Sequence, residues 1–257
     1  MFLAGLGVMT RVIVAIILRE TKTRFGKNKL GYLWAFMEPV AYIGLLLVVR
    51  NFLSTKVPFG ENLYLFILTG ILIYRLFISV ASRGMNAISS NQALLTYPIV
   101  KPVDTVYARI ILETLTMLVI VFIFFLFLTV LSNEIIIHYP YRFAAALAGT
   151  VLLATGFAMF NAVAVLLYPF WERFWGLIKF PLLISSGIFY IPSAMPLAAQ
   201  DVLQWNPVLN CIEWLRSGTY LDYDPISSPS YVVFAGLCMW TLGLSMERLN
   251  RNKLVNG

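Results

Sequence analysis

The chain has 257 residues, of which 60% are apolar and 12% charged, with a formal charge of +7. Soluble domains carry roughly 25% charged residues, so this composition leaves more apolar surface than a water-soluble fold can bury. Nucleic-acid binding is also excluded: it would need the basic residues gathered on one solvated face among exposed aromatics, whereas here they stand in short blocks between apolar runs.

The first feature is Val12–Leu18, an apolar run resembling a signal-peptide core. No small-x-small site follows it, only Arg19-Glu20-Thr21-Lys22-Thr23-Arg24, so the run is expected to stay in the chain. Residues 7–25 read as a moderately amphipathic helix. Met9, Val12, Ile13 and Ile16 share a face, Arg11 and Lys22 lie opposite, and Leu18 and Glu20 fall off the pattern. A basic amphipathic segment just before a first span points to a helix lying in the cytoplasmic membrane interface.

A helix needs about 20 mostly apolar residues to cross roughly 30 Å of hydrocarbon. Such stretches occur at 33–53, 62–82, 106–131, 143–168, 174–191 and 230–247. The fourth is rich in Ala and Gly, which let helix backbones approach closely inside a bundle. The fifth is short and contains Pro181, which predicts a kinked or tilted element. Residues 84–105 form a polar loop, and 192–229 a proline-rich segment in which Val208–Tyr220 is periodic enough for a short helix. Trp205, Trp214, Tyr220 and Tyr223 suit a re-entrant or interfacial position there.

The expected fold is therefore an all-α integral membrane protein with six transmembrane helices. It has an N-terminal interfacial helix and short re-entrant or periplasmic helices between spans five and six. It reads as one domain over 1–257: an interfacial segment to residue 32, a bundle over 33–247 and a tail over 248–257.

Lys and Arg mark the cytoplasmic loops. With both termini inside, that side holds Arg11, Arg19, Lys22, Arg24, Lys27 and Lys29. Arg83, Lys101, Arg109, Arg173, Lys179, Arg248, Arg251 and Lys253 join them. The outer side keeps only Arg50, Lys56, Arg142 and Arg216, and Arg75 falls within a span.

Motifs for chemistry are missing. GxxxxGK[ST] fails because Gly26-Lys27 has Thr21 where the first glycine belongs and Asn28 where Ser or Thr should follow. Cys211 and Cys238 form no CxxC pair, and the one histidine, His138, makes no HExxH site and reads as a solvated loop residue. Ionisable residues inside spans cost about 2.5–3.5 kcal/mol on insertion scales and are functional candidates for that reason. They are Glu38, Arg50, Arg75 and Glu113, with Arg50 close enough to an end to snorkel and Glu113 a candidate partner for Arg75 or Arg109. Among the aromatics, Trp34, Tyr64, Tyr139 and Tyr141 suit interfacial anchors. Tyr42, Tyr74, Phe180, Phe189 and Tyr190 lie deep enough to line a path, where ring faces could stack on sugars.

Several stretches together resemble the ABC-2 type permeases. They are Arg19–Gly26 leading into Leu30-Gly31-Tyr32-Leu33-Trp34 and Glu38-Pro39, the loop Asn91–Pro102, and Trp205-Asn206-Pro207 followed by Glu213-Trp214-Leu215-Arg216-Ser217. Within that family the chain is most similar to permeases exporting capsular polysaccharide in Gram-negative bacteria. Segment 186–190 departs from a stretch that often has Pro where Gly187 stands.

The resemblance implies an inner-membrane permease subunit working as a pair of copies, with a separate ATP-binding cassette subunit docked beneath each. ATP and Mg would belong to that partner, leaving this chain no cofactor and no catalysis of its own. The substrate would be a lipid-linked polysaccharide, with membrane lipids and periplasmic capsule-export proteins as further partners. The loop would couple to the ATPase through Asn91, Gln92, Leu94, Leu95, Tyr97 and Pro98. Physically, Leu94, Leu95 and Tyr97 beside Pro98 make an apolar knob that is either tucked on the bundle or a docking surface. Arg24, Lys27 and Lys29 could bind anionic lipid or a lipid pyrophosphate. Glu213 and Arg216 are candidate structural charges. Permeases of the same family moving O-antigen or another lipid, and a non-transporting membrane scaffold, are the alternatives.

Overall fold

The computed structural model describes residues 2–25, 57–60, 62–132, 135–226 and 228–256, with single positions between 37 and 48. The expected first span, with Trp34, Glu38, Tyr42 and Arg50, therefore falls largely outside the described residues, as do Lys27, Lys29 and the side chain of Arg24.

In chain order the helices are α1 (Phe2–Phe25), α2 (Leu63–Met85), α3 (Pro102–Ser132), α4 (Pro140–Leu167), α5 (Trp171–Ser185), α6 (Leu197–Leu203), α7 (Pro207–Thr219) and α8 (Pro229–Asn256). Short 3-10 turns stand at Ser89–Leu94 and Pro192–Ala194. Prolines open α3, α4, α7 and α8, where the missing N–H costs nothing because the first-turn donors have no intrahelical partner. The prolines at 207 and 229, which the sequence places in an irregular outer segment, thus act as helix starts.

Among the described residues, α2, α3, α4 and the Pro229–Arg251 part of α8 are long and apolar enough to cross a bilayer. Over the expected fifth span, 174–191, the structure has the 15-residue α5, about 22 Å long at 1.5 Å per residue, with Pro181 inside it. The chain then turns at Gly187, whose φ of +70° lies where an L side chain is strained and where proline, locked near −65°, cannot go. The departure from proline at this position is therefore a structural requirement here. Through the expected tail after 247, α8 continues as one helix to Asn256.

α4 is the central element, packed on α8, α2 and α7. Its small residues act as the sequence suggests. A Cβ added at Gly156 would stand 2.5 Å from the carbonyl oxygen of Gly236, and one at Gly243 would stand 2.7 Å from the backbone nitrogen of Phe160. The α4–α8 contact is thus backbone on backbone, the close approach that dispersion needs in a solvent as apolar as the side chains. α2 is buried on nearly all sides from Leu65 to Leu76. α3 instead exposes Leu115, Val119, Phe122, Leu126 and Val130, one stripe at helical spacing suited to lipid.

α7, amid its prolines, is as buried as any element: residues Val208–Cys211, Ile212, Glu213 and Leu215–Thr219 are all enclosed. It packs on α4, α2 and α8.

Candidate coupling and gate sites

The end of the bundle assigned to the cytoplasm is tied together by polar side chains. α1 lies on α3 through a face formed by Met9, Val12, Ile13 and the buried Ile16, with Arg11 and Lys22 exposed. Glu20 belongs to this inner face, one turn after Ile16, and is 6% exposed; the sequence pattern had set it off the face. A buried carboxylate must be paired, and here it is. Its Oε2 lies 3.1 Å from Arg109 Nε on α3, and its Oε1 accepts from Asn91 Nδ2 at 2.9 Å. Asn91 also donates to the Ala87 carbonyl at 2.9 Å and accepts from Arg19 Nη1 at 3.2 Å. Asn91 breaks helical geometry at φ −118°, ψ 17°, which turns its amide inward to meet α1.

The candidate coupling residues therefore divide. Asn91 and Leu95, 2% and 4% exposed, face the bundle; Gln92 and Leu94 are half-buried. Thr96, Tyr97 and Pro98 project outward. Ile99, which the sequence reading passed over, is as exposed as Tyr97, both at 62%. The knob is thus divided: Leu95 tucks under the bundle and Tyr97–Ile99 are exposed.

Glu113 is paired differently from the expectation. Its Oε2 lies 3.3 Å from Arg83 Nε, in the last turn of α2, while Arg109 is committed to Glu20. Arg83 had been counted only as a loop cation. Its long stem lets a half-exposed guanidinium reach a buried carboxylate one helix away. Arg75 lies partly buried in the middle of α2.

At the outer end, the stretch from Asn206 to Arg216 forms a second knot. Asn206 caps α7, accepting from the Val208 and Leu209 N–H groups at 2.9 and 3.3 Å, and donates to Ser185 Oγ at 2.9 Å. Asn210 donates to the Gln204 and Asn206 carbonyls and accepts from Ser228 N–H. Glu213 accepts from Tyr223 Oη and from Ile226 N–H. Burial nevertheless raises its pKa above the ordinary value, against the pull of Tyr223, Arg216 and the Ile226 amide.

Arg216 is fully buried and is not ion-paired with Glu213 as a direct contact. Its guanidinium donates to the carbonyls of Gly187 (2.8 Å), Phe66 (3.2 Å) and Ile188 (3.3 Å). It thereby joins the turn after α5 to the first turn of α2. His138 lies at the same end, exposed, with Nδ1 2.6 Å from the Thr219 carbonyl.

The described path candidates are scattered. Tyr74 is core, 5% exposed, with its hydroxyl donating to the Lys179 carbonyl at 2.7 Å; it ties α2 to α5 within one chain. Phe180 is 68% exposed on α5. Phe189 and Tyr190 are half-buried in the turn after α5, where Tyr190 Oη donates to the Ser185 carbonyl. Among the described residues no His, Cys, Asp and Glu side chains gather into a metal site.

Residues 11–220, which include both knots, match the model of the ABC-2 type transporter family. The chain belongs to that family. As an ABC-2 transporter chain it is similar over nearly its whole length to proteins named for capsule export. It is 27% identical over 253 residues to the polysialic acid transport protein KpsM of Escherichia coli, covering 98% of each chain. It is 29% identical over 255 residues to the capsule polysaccharide export inner-membrane protein CtrC of Neisseria meningitidis, covering 95% of this chain and 93% of that one. Identity with the capsule polysaccharide export inner-membrane protein BexB of Haemophilus influenzae is 26% over 251 residues, covering 96% and 94%.

Proposed function

We propose that this chain is the membrane-spanning permease subunit of an ATP-driven exporter that carries a lipid-linked capsular polysaccharide across the bacterial inner membrane. The observation that carries the reading is end-to-end similarity to three proteins named for capsule or polysialic acid export, on a bundle of apolar helices. Six spans, the 33–53 stretch and α5 included, complete the topology and leave both termini in the cytoplasm.

The chain lacks a phosphate-binding loop, so the energy comes from a separate ATP-binding subunit. The exposed Tyr97-Pro98-Ile99 edge is the surface offered to it, an apolar patch on an otherwise polar cytoplasmic segment. Closure of two such subunits on ATP drives the loops of two permease copies together, and the outer knot around Arg216 holds the far side of the path. Arg24, Lys27 and Lys29 bind anionic lipid or the pyrophosphate of the lipid-linked substrate.

The test is purification of the tagged chain in detergent from cells expressing its neighbouring genes, followed by ATPase assay with and without lipid-linked glycan. An ATP-hydrolysing subunit in equal stoichiometry, stimulated by the glycan and released by Tyr97→Ala with Ile99→Ala, supports the proposal. A chain that purifies without any ATPase overturns it. Stimulation by O-antigen lipid and not by capsular glycan reassigns the cargo.

A further inference from the structure

The inner polar knot extends further than the loop. Arg109 and Glu113 are four residues apart on α3 and so project from one face, about one turn apart. The first is paired to Glu20 of α1, which is bonded to Asn91 of the loop; the second is paired to Arg83 of α2. Two sets of contacts on one face of α3 thus stitch four separate elements as a ladder: Asn91–Glu20–Arg109 forms one rung and Glu113–Arg83 the next, joined through the α3 backbone. The ladder's carboxylates are 6% and 2% exposed, so each needs its arginine, although Arg83 itself is half-exposed.

We infer that Glu20 and Asn91 are positioning residues that lock the interfacial helix α1, the 89–99 loop and the inner ends of α2 and α3 into one rigid body. This rests on the exporter reading for its purpose, though the geometry stands by itself. A push on the exposed Tyr97–Ile99 edge then cannot be absorbed by the loop flexing. Asn91 transmits it to Glu20, and through Arg109 and Glu113 to the two spanning helices together. Without the ladder, the loop and α1 would be joined to the bundle mainly by apolar contacts such as Ile16 and Leu95, which permit sliding. A paired buried charge holds one register, because moving it strands a partner.

Two measurements test this on the intact chain. In the first, spin labels at Arg11→Cys and Thr96→Cys, in a Cys211→Ser, Cys238→Ser background, report the distance between α1 and the loop. Wild type gives one narrow distribution. Glu20→Lys and Arg109→Glu each broaden it, and the double variant narrows it again in part, because the exchanged ion pair re-forms between α1 and α3 while Asn91 stays bonded to Ala87 and Arg19. Unchanged widths in both single variants, or no recovery in the double, overturn the ladder. This arm needs no partner and holds whether or not the exporter reading does.

The second arm uses the complex with its ATPase. Glu20→Gln leaves the co-purified ATPase amount unchanged but lowers glycan exported per ATP hydrolysed by about tenfold, a typical size for coupling between distinct sites. A proportional fall of hydrolysis and export, with the ratio intact, overturns the positioning role. Failure of the wild-type chain to bring down an ATPase sinks the exporter reading alone.

Discussion

Arg216 stacks its guanidinium 3.7 Å above the centre of the Phe66 ring while its N–H groups bond carbonyls on both sides of it. A buried cation normally calls for a carboxylate. Here its direct partners are the carbonyl oxygens of Gly187 and Ile188 in the turn after α5 and of Phe66 on α2, with the face of an aromatic ring beneath it.

Removing that side chain strands the carbonyls it serves. Arg216→Met is expected to lower stability by about 2–3 kcal/mol or more, since each buried polar group left unsatisfied costs about 1–3 kcal/mol. Arg216→Lys keeps the charge but not the flat fork and should recover only part of the loss. Thermal unfolding in detergent, followed by tryptophan fluorescence, measures both. Equal melting points for wild type and Arg216→Met would contradict the role assigned to this residue.

The α4–α8 seam makes a second, sharper case. Gly243→Ala places a methyl group 2.7 Å from the Phe160 nitrogen and 2.8 Å from the Met159 carbonyl carbon, both backbone atoms that cannot swing aside. Forced overpacking of this kind costs about 1–3 kcal/mol. Gly176→Ala, on α5, meets nothing within 4 Å and should be neutral or slightly stabilising through helix propensity. Opposite signs for the two alanines, in the same unfolding assay, are the expected result.

Glu213 sets a pH dependence. Burial raises its pKa in the folded state, so between the ordinary value of 4.5 and the raised one the folded chain holds more protons than the unfolded chain. Stability from this group is present below that window and is lost as pH rises through it. Glu213→Gln, which cannot ionise, should therefore gain stability relative to wild type as pH is raised from about 4.5. A melting point of Glu213→Gln that does not rise relative to that of wild type with increasing pH would refute the assignment.

Sidedness can be read with cysteines. Cys211 is enclosed and burial pushes its thiol up to about 12, which leaves it unreactive, so Cys238→Ser gives a nearly silent background. Thr96→Cys on the exposed loop should react with impermeant maleimide only after the cytosol is opened. Leu197→Cys, 78% exposed on α6, should react in intact spheroplasts. Reversal of the two would invert the topology.

Much of this was legible in the residues. Apolar runs of helical length located α2, α3, α4 and α8 because hydrocarbon leaves no other way to satisfy a backbone, and the Ala/Gly content of α4 announced its place at the centre. The polar knots were harder to see. Glu20 sits four residues after Ile16, which is the helical repeat, and that spacing was the available signal; its charge argued against burial only while its partners on α3 and the loop were unknown. Arg83 and Glu113 are far apart in sequence, so their pairing depends on how α2 and α3 cross. The burial of α7 was hidden for a similar reason. Its charges and prolines look solvated until Arg216 is seen to be answered by carbonyls from elements more than twenty residues away.

The brevity of α5 has a consequence for the membrane around it. Hydrocarbon is roughly 30 Å thick, and a 15-residue helix is about 22 Å long, with its apolar part shorter still because Glu172, Arg173 and Lys179 stand on it. In the proposed topology, with α5 as a span, the bilayer beside it would thin to meet the shorter helix. In that arrangement a sugar-bearing headgroup skirting α5 would cross less oil than it would beside α3, and the protein would achieve this by being short in one place.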